Sequence, residues 1–178
     1  MKNHLCIFFL IFLTVCACSP KTPTSTQTAV ISPKTYKDDL LNTINSSDKI
    51  IVTEHSNPFD IWDKESNQSL VPNDIVYKRK EIDKGEKEEF FEIINKLDGE
   101  LQNGASMCIF EPHHTIEFYS KGKLLSKMEI CFVCDHVNWS GSKFNPPWSL
   151  YRGLEDFLKK SGFEPKRDWA SIAKNIKK

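Results

Sequence analysis

The chain has 178 residues, with 24 basic and 24 acidic side chains, 39% hydrophobic residues and six cysteines. So even a balance offers no general attraction to nucleic acid or to an anionic membrane surface, which excludes binding driven by bulk charge. The length beyond any N-terminal leader is that of one domain, large enough to bury a core with no metal or disulfide staple.

Residues 1–18 read MKNHLCIFFLIFLTVCAC. Lys2 gives a positive start, and residues 5–17 are apolar apart from Thr14. That run falls short of the roughly 20 residues needed to cross a bilayer and suits the h-region of a secretory signal peptide. It ends Val15-Cys16-Ala17-Cys18, which resembles the lipobox of bacterial lipoproteins: an aliphatic residue, a small one, Ala, then Cys. The resemblance implies removal of residues 1–17 and acylation of Cys18, typically with palmitate among the acyl chains. Ser19 in place of Asp implies an outer-membrane anchor facing the periplasm, with surface display left open. Residues 19–34, SPKTPTSTQTAVISPK, carry no sustained apolar period and read as a disordered tether.

A single domain is expected over residues 35–178. Tyr36, Leu40, Leu41 and Ile44 fall at helical spacing. Residues 49–53, KIIVT, are rich in β-branched side chains and read as a strand. Residues 56–74 are mostly loop, pinned to the core by Phe59, Ile61 and Trp62. Residues 75–82 alternate as a half-buried strand. Asp83 and Glu86 then have capping-box spacing ahead of a helix with a Phe90, Phe91, Ile94, Leu97 stripe, closed by Gly99.

Two strands follow, around residues 116–119 and 124–132. A three-residue Ser120-Lys121-Gly122 loop sets Phe118 opposite Leu124 and keeps both apolar sets on one face. Beyond Pro147, Leu150, Tyr151, Leu154, Phe157 and Leu158 trace a helix stopped by Gly162, and Asp168 caps a short final one. The order α-β-β-α-β-β-α predicts an α+β, two-layer fold: an antiparallel sheet of about four strands with helices on one face.

Chemistry-bearing residues concentrate between Cys108 and His136. Extending the hairpin register puts Cys108 opposite Cys134, with Cys131 on the other face opposite Glu111, and His113 across from Glu129. Three thiols remain in the domain once Cys18 is acylated. In an oxidising compartment one disulfide, Cys108–Cys134 or Cys131–Cys134, would leave one buried free cysteine. Alternatively Cys108, Cys131, Cys134 and one of His113, His114 or His136 could hold zinc or copper, with Met107 and Met128 as soft neighbours. A redox pair or a cysteine nucleophile lacks the helix-start placement that lowers a thiol's pKa. Glu54-His55 and Asp135-His136 read as surface pairs, and Trp139, Trp148 and Trp169 as partly buried anchors.

Residues 108–134, CIFEPHHTIEFYSKGKLLSKMEICFVC, are similar to a segment of a group of bacterial lipoproteins without assigned activity. That segment runs C-[YF]-x-P-[RH]-[HN], an apolar strand ending Phe-Tyr, a Lys/Gly turn and E-I-C-F-x-C. Ile109 departs from the pattern, which has an aromatic there. Basic residues recur in the group at position 113, so His114 is the better ligand of the two. The resemblance implies no catalytic residue and no firm cofactor. The expected role is a non-enzymatic binding or structural lipoprotein of the outer membrane, partnered by the membrane through its anchor and by a protein of the envelope, with no nucleic acid. The alternatives are an immunity protein neutralising a periplasm-acting toxin, and an enzyme on cell-wall or thiol substrates.

Overall fold

The computed structural model describes residues 35–71, 75–98 and 108–176. The expected leader, lipidation at Cys18 and tether, as well as Gly99 and Met107, therefore lie outside the described residues. The chain runs α1 (Tyr36–Ser46), β1 (Lys49–His55), β2 (Trp62–Asp63), β3 (Gln68–Ser69), β4 (Val76–Glu81), α2 (Lys84–Asn95), β5 (His114–Ser120), β6 (Lys123–Cys131), β7 (His136–Trp139), α3 (Ser149–Lys160) and α4 (Trp169–Ile176). Five strands form one sheet in the order β4-β1-β5-β6-β7, antiparallel throughout, and β2-β3 make a separate two-stranded ribbon. The fold is the expected α+β arrangement, with one strand more than predicted in the main sheet.

Local signals explain the elements. Thr35 and Asp83 each close a reciprocal capping box, satisfying backbone donors that a helix start otherwise leaves open. Asp168 accepts from the Ser171 backbone N–H at the start of α4. Alternation then sorts the sheet. Ile50 and Val52 of β1, Ile116 and Phe118 of β5, and Met128 and Ile130 of β6 are buried against Leu40, Ile44, Phe90, Ile94, Leu154 and Phe157 of the helices. Phe90 and Phe157 stack at 4.2 Å, and each fully buried side chain of this size contributes roughly 1.5–3 kcal/mol. Among the described residues, no helix is long and apolar enough to cross a membrane.

The β5–β6 turn corrects the expected register. Lys121 and Gly122 both have positive φ (50° and 75°), so the loop is a two-residue turn, with Ser120 paired to Lys123 and Tyr119 to Leu124. Left alone, that turn would point the apolar residues of β6 at the wrong face. A bulge leaves Leu125 unpaired and moves the register by one, so Phe118 faces Ser126 and Ile116 faces Met128. The bulge, and not a longer turn, reconciles the two apolar sets. Consequently Glu129 faces Thr115, not His113, and Cys131 pairs with His136 of β7, not with Glu111.

Two anchors were also placed wrongly. Phe59 and Trp62 do not pin their loop to the core. They stand 44% and 40% exposed and touch each other at 5.3 Å.

Candidate functional site

Five strand ends meet at one end of the sheet: the C-termini of β1 and β6 and the N-termini of β4, β5 and β7. The cysteine–histidine segment lies there. The sulfurs of Cys108 and Cys134 are at disulfide distance, with their Cα atoms 5.6 Å apart, and Cys131 is a buried free cysteine. Cys108 lies outside β5 and Cys134 in the β6–β7 loop, so the two meet through loops rather than across a ladder. Cys134 Sγ also lies 2.9 Å from the Ile109 carbonyl oxygen.

Of the four metal-ligand candidates, Cys108 and Cys134 are thus held to each other. His114 is fully buried, and neither of its ring nitrogens has a hydrogen-bond partner. Phe132 and Trp169 meet its ring edge-on at 5.5 and 5.6 Å. Among the described residues, no group of three or more His, Cys, Asp or Glu side chains is placed to share one ion. Burial, followed by the charges of His113, His55 and Arg167, pushes the His114 pKa down to about 3. Its imidazole stays neutral at physiological pH and out of a substrate's reach.

The same end of the sheet holds charges that the sequence reading put elsewhere. Glu54 is not a surface residue. It continues the Ile50, Val52 alternation onto the helix-covered face, is 1% exposed, and lies beside His114 in the β1–β5 register. Arg167, 34% exposed at its side chain, reaches in from the segment before α4 to pair with it. His113 Nε2 contacts Asp60 Oδ1 at 2.6 Å, both side chains buried. Its ring stacks on Trp169 at 4.3 Å, and Tyr77 stacks on the same indole at 6.1 Å. Trp169 thereby docks α4 on the sheet, as the anchor reading of that residue expects. Trp139 is buried too, whereas Trp148 is half exposed. Asp135 and His136 are surface residues.

Among the described residues, none of the core helix side chains packs on the opposite face of the sheet. It forms an open groove of about 470 Å³, within the range of small-ligand sites. Thr53 and Thr115 lie paired on its floor, and His55 Nε2 bonds to Thr115 Oγ1 at 2.9 Å. Arg79 spans β1 to reach Glu117 on β5 at 3.1 Å, and Lys127 holds Glu129 at 2.9 Å. Asn57, Pro58 and Pro112 form the wall at the strand-end side.

Sequence reasoning missed this groove because its parts come from four strands. The signal for Glu54 was present in the β1 alternation. The signals for Arg79, Asp60 and Arg167 were not, since their partners are remote in sequence. No family model, curated protein or solved structure matches the chain.

Proposed function

We propose that this chain is a lipid-anchored protein of the bacterial envelope, held at Cys18 in the outer membrane and facing the periplasm, whose domain is a non-enzymatic binding module. The N-terminal charge, apolar run and lipobox-like Val15–Cys18 support the address. The Cys108–Cys134 pair is in keeping with an oxidising compartment. The observation that carries the binding role is the open groove, whose charged lining residues are already paired as Arg79–Glu117 and Lys127–Glu129.

Labelled palmitate should enter the wild-type chain and not Cys18→Ala; label surviving in the variant overturns the anchor. A thiol count on the denatured mature chain should find one free thiol before reduction and three after. Three thiols that are neither oxidised nor reactive until a chelator is added would replace the disulfide with a zinc or copper site built on Cys108, Cys131 and Cys134, with His114 drawn out of its aromatic surroundings.

A further inference from the structure

We propose that the groove on the open face of the sheet takes a neutral oligosaccharide; this names the ligand of the binding module proposed above and rests on that reading. Four observations point to this chemistry.

First, the lining is charged yet balanced. Arg79 and Lys127 are each matched by a carboxylate, Glu117 and Glu129, already in contact with them. An anion or a cation drawn to one member of a pair meets the like charge of the other beside it, so neither gains a net attraction from the groove. A neutral ligand displaces only water. It also meets a dense alternation of donors and acceptors, since each guanidinium, ammonium and carboxylate keeps bonding capacity beyond these contacts, even though Glu117 also accepts from Tyr119 and Glu129 from Asn138.

Second, the floor suits hydroxyl groups. Thr53 and Thr115 line the floor from rigid strands with 7% and 5% of their surface exposed, and the His55 ring is fixed by bonds at both nitrogens, to Thr115 Oγ1 and to the Ser56 carbonyl oxygen. Sites built on strands hold such geometry better than sites on loops.

Third, the groove is extended and shallow. Its lining spans β4, β1, β5 and β6, about 14 Å from first strand to last at the usual inter-strand spacing. That is a footprint for several linked rings in a row, not for one buried small molecule.

Fourth, an aromatic pair leaves the groove wall directly. Pro58 lines the groove, and Phe59, next in the chain, is packed against Trp62 with both rings substantially exposed. The base of this arm is fastened: Asn57 accepts from the Phe59 N–H, and Ser69 donates to the Pro58 carbonyl. The electron-rich face of an exposed indole attracts the polarised C–H face of a sugar ring, while the ring's equatorial hydroxyls go to the polar floor. An aromatic pair beside a neutral polar groove is a combination that a purely ionic ligand would not use.

The test is titration of the full mature chain, isotope-labelled and held in detergent, with three neutral tetrasaccharides (N-acetylglucosamine, cello- and malto-). Galacturonate and glucosamine tetramers and a neutral hexapeptide serve as controls. At least one neutral tetrasaccharide should bind saturably, with Kd of order 0.1–1 mM for so shallow a site. Its shifts should map to Thr53, Thr115 and Lys127. Trp62→Ala should weaken it at least about fivefold while leaving the thermal midpoint unchanged, since its ring is substantially exposed, and Thr115→Val should weaken it as much while lowering the midpoint, since it also frees His55 Nε2.

Absence of saturable binding by every neutral tetrasaccharide overturns the proposal, as does binding indifferent to both substitutions, or tighter binding of a charged tetramer or of the peptide on the same face. The binding-module reading fails separately. If an envelope extract protects the β5–β6 backbone from hydrogen exchange while no tetrasaccharide does, only the ligand class is wrong. If neither protects it, the module reading falls as well.

Discussion

The two faces of the sheet carry the same kinds of charged groups in opposite settings. On the helix-covered face Glu54 is 1% exposed, with Arg167 as its partner and neutral His114 beside it. On the open face Arg79–Glu117 and Lys127–Glu129 stand in reach of water. A buried charge must keep its partner, because the loss of either one strands the other in a poor solvent. An exposed pair contributes little to stability and is free to serve recognition instead. The difference divides the molecule into a face that holds the fold and a face available to a ligand.

Arg167→Met should show the largest effect. It leaves the Glu54 carboxylate buried and unpaired, costing about 3 kcal/mol. Urea unfolding measures it, and the double variant Glu54→Gln/Arg167→Met should recover most of the loss. A cost below about 0.5 kcal/mol would show that water reaches Glu54 and would dissolve the contrast between the faces.

His114 sharpens the contrast through pH. Its folded-state pKa, about 3, lies below the ordinary unfolded value of about 6.5. Between those two values the unfolded chain binds the proton and the folded chain does not, so stability falls as pH drops through this window. The wild type should lose about 1 kcal/mol per pH unit between pH 6 and 4 relative to His114→Phe, which cannot titrate there. Parallel stability curves for the two proteins would place His114 in contact with water.

Gly141 probes the packing of the covered face. A Cβ at this position would come within 2.1 Å of the Trp139 ring. That ring is locked by its Nε1–H bond to Ser126 Oγ at 3.0 Å and by edge contact with Tyr36. Gly141→Ala should therefore cost about 2 kcal/mol, with a visible change in tryptophan fluorescence. Arg79→Ala, on the open face, should cost under about 1 kcal/mol, and that cost should vanish in 0.5 M salt. A larger, salt-insensitive loss would make the groove a structural element.

The α+β class, the bounds of α1 and β4 and the start of α2 were legible in the sequence because caps and alternation act within a few residues, whereas α2 ends at Asn95, short of the Gly99 expected to close it. Asp83 and Asp168 announce helix starts whatever surrounds them. The proposed leader and lipobox-like Cys18 are a different kind of signal, one read as linear sequence before any fold exists, so the folded domain bears on neither. The proximity of Cys108 and Cys134 was expected as well, although the register used to place them was off, since a short hairpin brings its flanks together under any close pairing.

Only the tertiary structure decided what depends on partners far along the chain. Leu125 is bulged because the apolar sets of β5 and β6 must share a face, a demand that the two-residue turn alone cannot meet. Glu54, carried onto the covered face by the β1 alternation, finds its partner in Arg167, 113 residues later, and no local pattern announces such a partner. The open groove exists because four strands from separate stretches lie side by side with the helices on the other face. Caps and periodicity are short-range and survive in the string of residues, whereas burial and charge pairing come into being only when remote segments share a surface.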